Sequence, residues 1–106
     1  MPEKHLFEPF TRFPAVFRDI SLVLDKNIES KRLEHIIEEE GGELVESVRL
    51  FDLYEGKTIG PSERALTYRV CYRSKDGTLD GKQVNQLHDS IIHRIRQKTG
   101  AKLREG

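Results

Sequence analysis

Four histidines, one cysteine and a run of three glutamates are the side chains of this sequence best suited to bond-making chemistry. His5, His35, His88 and His93 have no metal-ligand spacing with acids or with Cys71. Cys71 falls inside an alternating apolar stretch with no base placed beside it, so it lacks what turns a thiol into a nucleophile. Glu38, Glu39 and Glu40 are consecutive on a helical segment, point in three directions and cannot converge on one cation. There is no glycine-rich phosphate loop and no nucleophile elbow. No catalytic residue and no metal site is expected, and the chain is not expected to catalyse a reaction alone.

Binding chemistry is a different matter. Arg49, Arg69 and Arg73 each occupy a strand-like stretch, and Phe51 lies two residues from Arg49. A guanidinium pairs with phosphate in bidentate fashion and stacks on an unpaired base; an aromatic ring is a second stacking platform. The net charge is zero, yet residues 1–56 hold 7 Lys and Arg against 13 Asp and Glu, and residues 57–106 hold 11 against 5. The basic half points to a polyanion such as nucleic acid, although an ordinary solvated surface has the same composition.

The elements that must position these groups follow from periodicity. "RDISLVLD" (Arg18–Asp25) alternates Ile20, Leu22 and Leu24 on one face and reads as a strand. Ser30 is a candidate N-cap for a short helix with Leu33, Ile36 and Ile37 as its stripe, ended by Gly41-Gly42. "ELVESVRLFDLYEG" (Glu43–Gly56) is a long second strand, with a bulge expected near the adjacent Leu44 and Val45. Its alternation puts Val48 and Leu50 on one face and Arg49, Phe51 and Leu53 on the other. Arg64–Arg73 is the clearest strand, with Leu66, Tyr68, Val70 and Tyr72 in alternation. A second helix carries Val84, Leu87, His88, Ile91, Ile92 and Ile95 on one face, with Asp80 and Gln83 at capping-box spacing and Gly100 at its end. "AKLRE" is a short last strand.

The order β-α-β-β-α-β predicts an α+β, ferredoxin-like split sandwich: a four-stranded antiparallel sheet in the order 4-1-3-2 with both helices on one face. The other sheet face is then open. It should display Ser21, Val23, Arg49, Phe51, Thr67, Arg69, Cys71 and Arg73, joined by Lys102 or Arg104 from the last strand. The candidate RNA-binding residues are therefore Ser21, Arg49, Phe51, Arg69, Arg73, Lys102 and Arg104. RNA-binding modules use such a face, but regulatory domains that bind metabolites and small metal chaperones share the architecture. A free-standing metabolite-binding domain and a face docked on another protein domain stay open as alternatives.

Length and composition agree with one modest core. The 106 residues are 36% hydrophobic, and no apolar run approaches the ~20 residues that span a bilayer. "MPEKHLFEPF" lacks the basic start and apolar middle of a signal peptide, and one cysteine forms no internal disulfide. A cytoplasmic setting without membrane contact is expected. Residues 1–8 read as linker and residues 9–106 as the domain. In "RFPAVFRD" (Arg12–Asp19), Pro14 holds an extended lead-in, and Phe10, Phe13 and Phe17 are expected to clip it to the domain as apolar anchors.

The stretches "RFPAVFRDISLVLD", "GGELVESVRLFDLYEG" and "RALTYRVCYRSKDGTLDGKQVNQLHDSIIHRI" together resemble the ferredoxin-fold anticodon-binding domain of bacterial phenylalanine–tRNA synthetase beta subunits. The resemblance runs from about Pro9 to Arg104. Its most specific elements are Phe13-Pro14 with Arg18-Asp19, the run Leu50–Gly56, and Tyr68-Arg69 leading to Arg73-Ser74. It implies a domain that binds the anticodon stem-loop of the phenylalanine tRNA, excised from a ligase subunit several times longer. The partners implied are that tRNA, the remainder of the beta subunit and the alpha subunit. No cofactor is implied for the domain, while ATP and magnesium are implied for the parent ligase, whose catalytic site lies on the alpha subunit. One departure is Ser62-Glu63-Arg64, where such domains have a Gly-Lys-Lys-like approach to the third strand; it removes one positive charge beside the expected RNA face.

Overall fold

The computed structural model describes residues 13–104. Four strands and two helices follow in the order β1 (Val16–Asp25), α1 (Ser30–Gly41), β2 (Val45–Tyr54), β3 (Glu63–Tyr72), α2 (Gly81–Thr99) and β4 (Lys102–Leu103). The sheet order is β2-β3-β1-β4, all neighbours antiparallel, which is the expected split sandwich. The expected linker (residues 1–8), Phe10 and the outer domain boundary lie outside the described residues.

Alternation on the two central strands builds the core. Ile20, Leu22 and Leu24 of β1 and Leu66, Tyr68, Val70 and Tyr72 of β3 are buried on one side of the sheet. They meet Leu33, Ile36 and Ile37 of α1 and Val84, Ile91 and Ile95 of α2. The two buried tyrosines bring polar ends into this layer, and both find partners, as burial demands. Tyr68 donates its hydroxyl hydrogen to the Ser30 carbonyl over 2.9 Å. The Tyr72 hydroxyl and His88 Nδ1 share a 2.8 Å hydrogen bond. Burial pushes the Tyr72 hydroxyl up to about 12 and pushes His88 below the ordinary imidazole range, so His88 is a neutral core-edge residue.

Helix ends depart from expectation in detail. The residue before α1 is Glu29, not Ser30, and its side chain forms no capping bond. Asp80 caps α2 by accepting from the Lys82 amide at 3.3 Å. Of the α1 acids that oppose the helix dipole, Glu40 finds an external partner, pairing with Arg94 of α2 at 3.3 Å. Arg32 also reaches across to donate to the Lys98 carbonyl at 3.1 Å.

Gly41 ends α1 in a buried position against the start of β2. A Cβ there would lie 2.1 Å from Val45 Cγ2 and 3.5 Å from Ile91 Cδ1. Its backbone is right-handed helical, so alanine fits the dihedrals and would gain helix propensity, while the contact forbids the added carbon. Overpacking of this kind costs about 1–3 kcal/mol, which exceeds the propensity gain of about 1 kcal/mol. Gly41→Ala is therefore expected to destabilise the domain in urea unfolding. An increase in stability would show that α1 can shift away from β2.

Candidate nucleic-acid interface

Both helices lie on one side, so the opposite face of the sheet is uncovered. Cross-strand register assigns its rows, because directly paired residues share a face. Phe17, Cys71 and Ser47 form the first row; Asp19, Arg69 and Arg49 the second; Ser21, Thr67 and Asp52 the third; Val23, Ala65 and Tyr54 the fourth. Lys102 pairs with Val23 and so extends the fourth row on β4.

The edge strand β2 departs from simple alternation twice. Register shifts fall between Val45 and Ser47 and between Leu50 and Asp52. The second makes Phe51 an extra residue on its strand. Downstream parity is thereby inverted, as a bulge requires. Leu53, expected on the open face, pairs with Leu66 on the helix side and stays 49% exposed at the sheet edge. Tyr54 moves to the open face instead. Its ring leans back over Gly56, where a Cβ would lie 2.2 Å from the tyrosine hydroxyl. Thr58 donates its hydroxyl hydrogen to the same oxygen at 3.3 Å.

The expected residues fall into three groups. In the centre, Arg69 donates from Nε and Nη2 to the two carboxylate oxygens of Asp19, at 2.9 and 3.1 Å. The Arg69 guanidinium carbon also lies 4.8 Å from the centroid of the Phe51 ring. This bidentate bond holds the Asp19 carboxyl below the ordinary carboxylate range. At the β4 end, Arg104 lies over the Tyr54 ring with its guanidinium carbon 4.9 Å from the centroid. Lys102 is exposed beside it. Between these two groups, Ser21 and Thr67 join their hydroxyls at 2.8 Å. Arg49 is exposed and has no ion pair or hydrogen bond among the described residues.

Arg73 stands apart. Its side chain, only 26% exposed, donates to Glu46 and to the Phe13 carbonyl. It fastens the lead-in to β1 rather than standing as a free cation. Phe17, expected as an anchor of that lead-in, is 57% exposed on the open face. The Arg73 hydrogen bond to the Phe13 carbonyl fastens the lead-in where Phe17 does not; Phe13 itself is half-buried. Arg18 and Asp19 point to opposite sides: Arg18 donates to Asn85 Oδ1 of α2 at 3.3 Å, while Asp19 serves Arg69.

The open face holds more acid and more aromatic surface than sequence parity indicated. Asp19, Glu46 and Asp52 add acid to it, and Asp19 shares the alternation of Ser21. Tyr54 was hidden by the second bulge. Cys71 is covered and its thiol is pushed up, chiefly by burial and then by Glu46, which leaves it an unreactive wall residue. On the other side of the molecule, Glu40, Asp89, Ser90, His93, Arg94 and Gln97 line a shallow groove between α1 and α2.

The Asp19–Arg69 bond predicts a pH signature. The folded pKa of Asp19 is depressed, so its contribution is present above the ordinary carboxylate pKa of about 4 and is lost as pH falls through the folded value. A carboxyl chemical-shift titration is expected to place Asp19 below that reference. Arg69→Ala should return it to the ordinary range. An Asp19 that titrates normally with Arg69 in place would contradict the bidentate geometry.

Residues 11–104 match the family model described as the ferredoxin-fold anticodon binding domain. The chain is 40% identical over 99 residues to the phenylalanine–tRNA ligase beta subunit of Symbiobacterium thermophilum, and the match spans 93% of this chain and 11% of that protein. It is 39% identical over 98 residues to the same subunit of Halalkalibacterium halodurans, over 92% of this chain and 12% of that protein. For Aquifex aeolicus the identity is 35% over 98 residues, 92% of this chain and 13% of the subunit. The match thus spans roughly an eighth of each relative. Sheet order, helix placement and the family model agree: the chain belongs to the ferredoxin-fold anticodon-binding domain family.

Proposed function

We propose that this chain binds the anticodon stem-loop of the phenylalanine tRNA on the uncovered face of its sheet, as a cytoplasmic, non-catalytic part of phenylalanine–tRNA ligase. Family membership supports the anticodon, and the names of the relatives supply the amino acid. The observation that carries the choice of surface is the exposure of Phe17 and Phe51, with the half-buried Tyr54 beside them, on the face the helices leave bare. Unstacked bases of an RNA loop settle on such rings, and cations at the rim take the phosphates between them.

Within this reading the residues divide by what they have free. Arg49, Lys102 and Arg104 supply charge to phosphates. Ser21 and Thr67 offer hydroxyls to base edges in the middle of the face. Phe51 and Tyr54 offer stacking area, with Arg69 over the first ring and Arg104 over the second. ATP, magnesium and the amino acid belong to the rest of the ligase, formed by the remainder of the beta subunit and the alpha subunit. A single anticodon domain grips weakly by itself and adds to the whole through linkage to the other tRNA contacts.

Binding of an anticodon stem-loop RNA across a salt series tests this. Affinity should fall steeply with salt, and Arg49→Ala and Arg104→Ala should each reduce the log–log slope by about 0.7, the loss of one phosphate contact to a single strand. Arg73→Ala should act mainly on stability and leave the slope in place. Unchanged affinity and slope in the Arg49 and Arg104 variants would remove the open face from the interaction, and a wild-type chain without measurable binding would end the proposal.

A further inference from the structure

Arg69 is the most central cation of the open face, and one of its two hydrogen-bonding edges is already taken. Nε and Nη2 are spent on the two oxygens of Asp19. The guanidinium carbon lies over the Phe51 ring, 4.8 Å from its centroid. The side chain is nevertheless 51% exposed. With Nε and Nη2 on Asp19 and the guanidinium carbon over Phe51, the exposed part is left to the Nη1 end and to the side turned away from the ring.

Such a group is poorly arranged to hold a phosphate. Asp19 occupies the Nε–Nη2 edge, so a phosphate would have only the Nη1 side to approach, and the Asp19 charge cancels much of the long-range attraction. It is well arranged as a plate. A guanidinium plane stacks on a nucleobase as well as on an aromatic ring, and a fixed plate loses little freedom when the base arrives. The neighbouring Arg49 has its donors free and stands one strand outward in the same row. A phosphate beside the stacked base would meet Arg49.

We infer that Asp19, Arg69 and Phe51 form a preassembled stack that seats one unpaired base on the outer guanidinium face of Arg69. Phe51 is the support and Asp19 a positioning residue that never touches RNA. This rests on the open face being the RNA surface, and it assigns Arg69 a role opposite in kind to that of Arg49. The base class is any purine or pyrimidine; stacking on a plate does not select between them.

The two roles of Arg69 separate in an abasic scan. The probe is the anticodon stem-loop RNA of the phenylalanine tRNA with each loop nucleotide in turn replaced by an abasic one, which keeps every phosphate. Wild-type protein should lose about tenfold in affinity at each position whose base is stacked. Arg69→Lys retains the charge and loses the plate, so one of those penalties should vanish while the salt slope stays the same. Asp19→Asn adds one positive charge to the face and frees the guanidinium, and it should erase the same penalty. Asp19→Asn lies on the exposed surface and is the variant least exposed to folding defects. If Asp19→Asn instead tightens binding at every position and Arg69→Lys leaves the penalty map intact, Arg69 holds a phosphate and the stack is refuted. If wild-type protein binds no stem-loop at all, the open-face reading fails with it.

Discussion

The antiparallel pairing of β1 with β3, unbroken over ten residues from Val16↔Tyr72 to Asp25↔Glu63, is the constraint on which the molecule depends. Because side chains alternate, this one register decides at once what is core and what is exposed surface. Ile20, Leu22 and Leu24 are aligned with Tyr68, Leu66 and Arg64, and the apolar members meet the helices. A one-residue slip of β1 would carry Asp19 and Ser21 into the core and Ile20, Leu22 and Leu24 to water. Deleting one of these buried leucines costs about 2–5 kcal/mol, and a slip would displace several together. The tyrosine hydroxyls reinforce the register, since Tyr68 and Tyr72 find Ser30 and His88 only when their rings stand at these positions.

The edge strand β2 is the less constrained partner, and its departures shape the open face. A strict partner of β3 would have displayed Phe51 and Leu53 and turned Tyr54 inward. The bulge at Phe51 exchanges an aliphatic side chain for a phenol ring and leaves Phe51 beside Arg69. Two rings of β2, each with a guanidinium over it, then stand on one face, Phe51 under Arg69 of β3 and Tyr54 under Arg104. Bulges at sheet edges commonly re-aim side chains in this way. The edge is also protected: a strand with two bulges and charged residues such as Glu46, Arg49 and Asp52 is a poor template for another strand.

Much of this was legible in the sequence, and the reasons are physical. The alternation in Leu66–Tyr72 and the stripe Val84–Ile95 report burial directly, and they led to the right layers, sheet order and open face. What alternation cannot carry is a change of phase inside a strand. The apolar doublet Leu50-Phe51 was the same cue as Leu44-Val45, yet only the first doublet was read as a bulge. Strict alternation therefore turns Tyr54 inward and Leu53 outward, the reverse of the structure. Side-chain pairing across strands is likewise invisible to a linear reading. That Asp19 binds Arg69, and Glu46 binds Arg73, follows only from register, and it separates the cations into fixed and free in a way that residue type does not.

Amide chemical-shift mapping of the chain with the anticodon stem-loop RNA addresses the central claim most directly. The account predicts shifts concentrated on Ser21, Arg49, Phe51, Tyr54, Thr67, Arg69 and Arg104, with α1 and the groove between Glu40 and Arg94 unaffected. Shifts confined to the helices, with the sheet residues unmoved, would contradict it.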